Sequence, residues 1–292
     1  MNDQTGTRAI ETEVTIDAPP ERVWKALTDA NELTRWFPFE ADVEPGEGGK
    51  ILLSWGADME GSSRIRVWEP GRHLQTSWME PTERMLETGK DAPAGSTAER
   101  AAGGEWPGDK LIVDYFLEAL GGKTVLRLVH SGFSADAKWD NEFDSHRRGW
   151  NFELRSLRHY LEHHDGRQRK VVWLRAPLKV SAEQAWSRVV GTEGLAREGS
   201  LAGSLLDSAY SVRTVHGDAL NGTLTVFDRP LQLAMTLDNM GSSLLRFSVE
   251  TCFGPAEANL FLSSWPVADG EDDEAVKRFR ERWASTLKEL AS

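Results

Sequence analysis

The sequence predicts an α+β protein made of two copies of one unit, each an antiparallel sheet followed by a long amphipathic helix. Three observations carry this. Short runs of alternating apolar and polar residues recur through both halves, the pattern of half-buried strands. Two segments, about Asp140–His163 and the C-terminal stretch, repeat apolar residues at helical spacing. The two halves also share a register. Trp24 and Trp186 lie 162 residues apart, whereas Trp150 and Trp283 lie 133 apart. The difference, 29 residues, is the length of Glu80–Gly108, a Gly/Ala/Glu/Pro-rich stretch without periodicity. Tandem copies with one insertion in the first account for all of this. The expected domains are residues 8–164 and 170–292, joined by the polar linker 165–170.

In the first half, Ile10, Val14 and Ile16 alternate with Glu11, Glu13 and Thr15, which predicts a strand with one wet face. Ala18-Pro19-Pro20 stops it and suits a first helical turn, where proline loses no hydrogen bond. Glu21 sits near the positive end of that helix, and Val23, Trp24 and Leu27 form its apolar stripe. Asp29 to Asn31 break the helix, and Leu33 to Phe37 read as a further turn ending at Pro38. Strands follow around Ile51–Trp55, Ile65–Val67 and Leu74–Trp78, with Glu69-Pro70-Gly71-Arg72 as a turn. Glu80–Gly108 reads as a long loop with one helical turn near Thr82–Glu87. Strands resume at Leu111–Leu117 and Thr124–His130. Trp150, Leu154, Leu157 and Leu161 then share one helical face.

The second half repeats this order. Val172, Leu174 and Leu178 open it, and Ser181-Ala182-Glu183-Gln184 is a capping box ahead of Trp186. Trp283, Leu287 and Leu290 take the places of Trp150, Leu154 and Leu157.

The stretch APPERVWKALTD (18–29), the TRWF segment (34–37), Gly48-Gly49 before a strand, LRLVHSGF (126–133) and Gly149-Trp150 opening a helix occur in that order. Together they resemble the START-like (SRPBCC) superfamily, and within it the AHSA1-like domains named for the activator of Hsp90 ATPase. The resemblance implies a helix-grip fold, a curved antiparallel sheet wrapped around its C-terminal helix. It fades in the second half. There the Trp36-Phe37 segment has no counterpart in the Gly/Ser-rich Leu195–Leu206, and Leu262-Ser263-Ser264-Trp265-Pro266 replaces the VHSGF run. Family function is therefore carried to the first copy only.

Composition narrows the function classes. The chain has 292 residues, 46 acidic against 34 basic, and a net charge of −12. A general binder of nucleic acid or anionic membranes needs a basic surface instead. The single cysteine, Cys252, permits no intramolecular disulfide, and no apolar N-terminal run or spanning segment is present. A cytoplasmic protein is expected, with no nucleic-acid or membrane partner.

No nucleophile elbow, phosphate loop or zinc-protease motif occurs, and no metal or cofactor is expected. His159, His163 and His164 cluster at a helix C-terminus, where the dipole favours partial positive charge; no carboxylate or cysteine completes a ligand set. His130, closing an apolar strand, reads either as a structural histidine or as a polar group aimed into a cavity. Among 12 tryptophans, Trp24 and Trp150 occupy helix packing positions. Trp36, Phe37, Trp55, Trp78, Tyr115, His130 and Phe133 are the candidate ligand-binding residues of an aromatic-lined pocket. A filled aromatic core gives the same pattern, and it is the expectation for the second copy.

Three functions follow. The first is binding of a hydrophobic or aromatic small molecule. The second, from the resemblance, is a cochaperone-like partnership with an Hsp90-type chaperone. Eukaryotic activators carry a separate N-terminal module, which the start of this domain near Met1 argues against. The third, also from the resemblance, is a cyclase or hydrolase using His130 with Tyr115.

Overall fold

Pro19 and Pro20 set the first boundary of the structure, a computed structural model. It describes residues 6–56, 59–90, 110–192, 194–251, 255–266 and 271–292. Strand β1 (Thr7–Ile16) ends just before Pro19, whose extended backbone precedes helix α1 (Pro20–Thr28). Ile10, Val14 and Ile16 are buried on the inner face of β1, while Glu11 and Glu13 stay exposed. Val23, Trp24, Ala26 and Leu27 form the buried stripe of α1. The break after α1 is shorter than the sequence suggests. Asp29 alone interrupts the chain and at once caps α2 (Ala30–Leu33), its carboxylate accepting the Glu32 N–H at 3.0 Å.

The first sheet contains β2 (Glu40–Val43), β3 (Lys50–Ser54), β4 (Glu60–Glu69), β5 (His73–Ser77), β6 (Glu80–Pro81), β7 (Ile112–Leu120) and β8 (Lys123–Ser134). Its order is β1-β8-β7-β5-β4-β3-β2, with β6 pairing to β4. All its pairings are antiparallel. Helix α3 (Glu83–Gly89) follows β6, and α4 (Asp140–His163) closes the unit against β1. Trp150, Leu154, Leu157 and Leu161 all face inward on α4, as their spacing requires.

Two local departures bear on the site. A bulge between Ile65 and Val67 shifts the parity of β4, so Trp68 pairs with inward-facing Leu74 and meets Trp24 edge-on at 5.1 Å. Simple alternation from Ile65 through Val67 therefore fails after Ile65. The second departure is at Glu80. The first eleven residues of the expected loop carry β6 and α3, the helix falling where the sequence predicts one helical turn. Thr82 Oγ1 donates to buried Glu60 at 2.6 Å and accepts from the Met85 N–H, while Met85 is 1 % exposed. Residues 91–108 lie outside the described residues.

The second unit repeats the plan. It consists of β9 (Lys170–Pro177), α5 (Ala182–Val190), β10 (Ala196–Glu198), β11 (Ala209–Thr214), β12 (Ala219–Asp228), β13 (Gln232–Leu237), β14 (Ser243–Glu250), β15 (Glu257–Ser264) and α6 (Glu271–Ala291). Its sheet order, read from β9, is β9-β15-β14-β13-β12-β11-β10. In both sheets the first strand lies beside the last, and the rest follow as a meander. The capping box at Ser181 and Gln184 is formed in both directions. Trp186 packs edge-on against Phe227 at 5.1 Å, as Trp24 does against Trp68. Phe279, Trp283, Leu287 and Leu290 of α6 join the sheet residues in one continuous core.

The chain divides into two compact units, Met1–Gly166 and Arg167–Ser292. Asp165, read from the sequence as linker, is ion-paired to Arg22, and the Gly166 N–H donates to Tyr160 at 3.1 Å. Both residues thus belong to the first unit. Among the described residues, no helix is long and apolar enough to cross a membrane.

Candidate functional site

In the first unit the sheet and α4 do not meet everywhere. A cavity opens between them, bounded by Leu27 and Leu33 from the first helices and by Ile51 and Leu53 from β3. Leu74, Thr76 and Tyr115 come from β5 and β7, and Trp150 from α4. Trp36, Phe37, Trp78 and Met79 complete its aromatic and apolar wall. Ser63, Thr76 and Tyr115 supply hydroxyl groups, and no charged side chain lines the space. The cavity volume is about 40 Å³. That is about three times what one water needs, so any ring-sized occupant requires a wall to move.

The walls differ in rigidity. Trp36 is 1 % exposed, and its indole N–H donates to the Ala26 carbonyl at 2.9 Å. Its own carbonyl accepts from Ser156 of α4 at 3.1 Å. Phe37 stacks on Trp36 at 4.9 Å and meets Trp55 edge-on at 5.0 Å. Trp78, just past the end of β5, is half-buried; its backbone N–H donates to the Leu111 carbonyl at 2.8 Å, and its indole makes no hydrogen bond among the described residues. The Tyr115 hydroxyl has no hydrogen-bond partner among the described residues, and burial pushes its pKa up, so it stays a neutral phenol.

Of the residues singled out from the sequence, Trp36, Phe37, Trp78 and Tyr115 line this cavity. Trp55 sits behind Phe37. His130 and Phe133 lie one layer further in, beyond Trp78 and Trp150. His130 is fully buried in β8, paired to Val113 and Ile10 of the flanking strands. The Trp150 indole N–H donates to His130 Nδ1 at 3.0 Å. Indole nitrogen can only donate, so neutral His130 carries its proton on Nε2. Phe133 packs edge-on against His130 at 4.5 Å. The glycine between them is required. Gly132 has φ +93°, and a Cβ there would lie 2.0 Å from the Lys110 carbonyl oxygen.

A second histidine, His146 of α4, completes this inner layer at 5.3 Å from His130, ring to ring. Its Nδ1–H donates to the Glu142 carbonyl at 2.8 Å. Burial lowers the His146 pKa to about 4, against the opposing effect of that hydrogen bond. Burial also holds His130 well below the usual imidazole value, helped by repulsion from His146. Both rings are neutral at pH 7. Sequence reasoning did not pair Trp150 or His146 with His130. The signal available was the spacing of four that places them on one face of α4.

At the other end of α4, His164 Nε2 and His159 Nε2 share a hydrogen bond at 3.3 Å. Among the described residues no three His, Cys, Asp or Glu side chains converge as a metal-ligand set.

The model of the family described as "Activator of Hsp90 ATPase homolog 1-like protein" matches residues 17–162. The chain belongs to this family. In START-like terms it is a tandem member, since the second unit repeats the helix-grip plan. No curated protein matches. Several solved structures do. The solution structure of the Aha1 dimer from Colwellia psychrerythraea is 19% identical, with 55% of this chain and 99% of that one covered, at a TM-score of 0.40. DynU16, described as a putative protein of the dynemicin biosynthetic locus, is 15% identical over 97% of each chain, at 0.41. The di-domain ARO/CYC BexL of the BE-7585A biosynthetic pathway is 14% identical over 98% of this chain and 99% of its own, at 0.40.

Proposed function

We propose that the first unit of this AHSA1-family protein, residues 8–164, binds a hydrophobic or aromatic small molecule between its sheet and α4. The observation that supports this most is the cavity itself, an uncharged space walled by Trp36, Phe37, Trp78, Tyr115 and Trp150 with a few hydroxyl groups. Apolar walls with sparse polar groups are the usual makeup of small-molecule sites. The second unit is read as the filled companion, with Trp186 and Trp283 packed in its core. An enzymatic reading through His130 finds less support. Its Nδ1 faces an indole N–H that cannot accept a proton, and Tyr115 stays neutral, so no acid–base couple is poised near pH 7.

Trp78 is the residue to test. It lines the cavity, is half-buried and its indole holds no hydrogen bond among the described residues. Trp78→Ala is expected to weaken binding by about 2 kcal/mol or more, the usual effect of truncating an aromatic anchor. Quenching of tryptophan fluorescence by a panel of hydrophobic aromatic compounds, on wild type and variant, measures it. If no compound perturbs the wild-type emission, the binding reading fails. A pull-down with Hsp90-type ATPases then tests the cochaperone-like alternative.

A further inference from the structure

The inner layer of the site holds an unexplained polar atom. His130 is 0 % exposed, and its Nε2 has no hydrogen-bond partner among the described residues. Because Nδ1 accepts from Trp150, this nitrogen carries the proton and is a donor without an acceptor. A buried unpaired donor carries the full cost of its desolvation, so native folds rarely keep one without a use. Among the described residues nothing serves it. Trp78 and Phe133 lie at 4.5 Å, His146 at 5.3 Å and Trp150 at 6.1 Å, ring to ring, and none of these four places an acceptor within hydrogen-bond reach of Nε2. Two of them, Trp78 and Trp150, also line the cavity. They are the partition between the open space and the orphan N–H. Trp78 is the weaker half of that partition, at a strand end and without a side-chain hydrogen bond, whereas Trp150 is tied to His130 itself.

We propose that His130 Nε2–H is the hydrogen-bonding subsite of this cavity, reached past the Trp78 ring, and that it selects a neutral aromatic carbonyl compound. This rests on the binding reading given above. The ligand class follows from the chemistry of the wall. A donor selects an acceptor. No charged side chain lines the cavity to hold an anion or a cation, which fixes neutrality. The surrounding rings favour a flat conjugated group over an aliphatic one. A carbonyl on such a ring places its strong acceptor in the plane of the stack.

The test uses the full chain and two probes of similar size, acetophenone and ethylbenzene, in which a carbonyl and a methylene take the same place. Binding is read by tryptophan fluorescence. The ring protons and nitrogens of His130 are read by NMR on protein labelled with ¹⁵N-histidine. The expected result is acetophenone binding about tenfold tighter than ethylbenzene, the usual worth of one satisfied buried hydrogen bond. The His130 Nε2–H resonance should shift with acetophenone and stay in place with ethylbenzene. In His130→Phe the two probes should bind equally. If that variant does not fold, the wild-type resonance still decides. Equal binding of both probes with an unmoved His130 signal overturns the subsite and leaves the cavity reading standing. A His130 Nε2–H already hydrogen-bonded to water in the free protein, and unchanged by acetophenone, overturns it also. Binding of neither probe removes the cavity reading, and the subsite with it.

Discussion

Glu32→Ala is expected to destabilise the first unit by about 3–5 kcal/mol, the usual result of removing one partner from a buried ion pair. Glu32 is 4 % exposed. One carboxylate oxygen accepts from Arg22 at 2.5 Å and from the Tyr160 hydroxyl at 2.8 Å. The other accepts from Arg35 at 2.6 Å. Burial alone works against the Arg22 charge, and hydrogen bonds to Asp165 and Glu32 more than restore it, so its pKa lies above the ordinary value. Without Glu32 the Arg35 guanidinium loses its short carboxylate contact, and Arg22 keeps the exposed Asp165 and the Tyr160 hydroxyl. The wild-type network need not be strongly stabilising in itself, because taking its charges from water costs nearly what pairing returns. The loss comes from breaking it. Glu32→Gln keeps the volume and one acceptor, so it should cost less than alanine. Urea unfolding of the three proteins measures this, and a loss below about 1 kcal/mol for alanine would mean that water reaches both arginines. The same network fastens α1, α2, α4 and the chain after α4, the frame that holds Trp36 and Phe37 at the cavity.

That frame was not readable in the sequence, and the reason is distance. Tyr160 and Glu32 lie 128 residues apart, and neither has a local pattern that announces the other. Local periodicity, by contrast, carries well. The capping box at Ser181, the inward faces of β1 and α4, and the paired placement of Trp24 and Trp186 all follow from residues within a turn or two of one another. So does the repeat, because two equal folds impose two equal registers. Periodicity fails where one residue changes the count. The bulge after Ile65 turns Trp68 inward, and nothing between Ser62 and Val67 marks it. The candidate site divides the same way. The aromatic residues of its wall stand out by composition, whereas the layering of Trp78 and Trp150 over His130 depends on contacts between β5, β8 and α4. The helical turn expected near Thr82–Glu87 is α3, anchored by buried Met85, whereas the two-residue β6 ahead of it is too short to carry a periodicity.

Lowering the pH from 7 to 4 is expected to weaken the first unit through its two inner histidines. An unfolded histidine takes a proton near pH 6.5. Folded His146 does so only at about 4, chiefly because its ring is buried. Between those values the unfolded chain binds more protons than the folded one, so stability falls as the pH falls. Above 6.5 both forms are neutral, the contribution is fully present, and the slope from this group vanishes. From 6.5 to about 4 the shift corresponds to roughly 3 kcal/mol for His146 at 1.36 kcal/mol per unit. His130 adds to it in the same direction, since burial and repulsion from His146 hold it well below the ordinary imidazole value. Carboxylates elsewhere titrate in the lower part of this window, so the readout is a difference. Urea unfolding of wild type and His146→Phe is compared at half-unit steps between pH 7 and 4. The wild type should lose stability more steeply, by about one proton's worth per unit near the middle of the range. Parallel curves for the two proteins would show that His146 is protonated as readily folded as unfolded. The neutral inner layer, and with it the donor tautomer of His130, would then have to be abandoned.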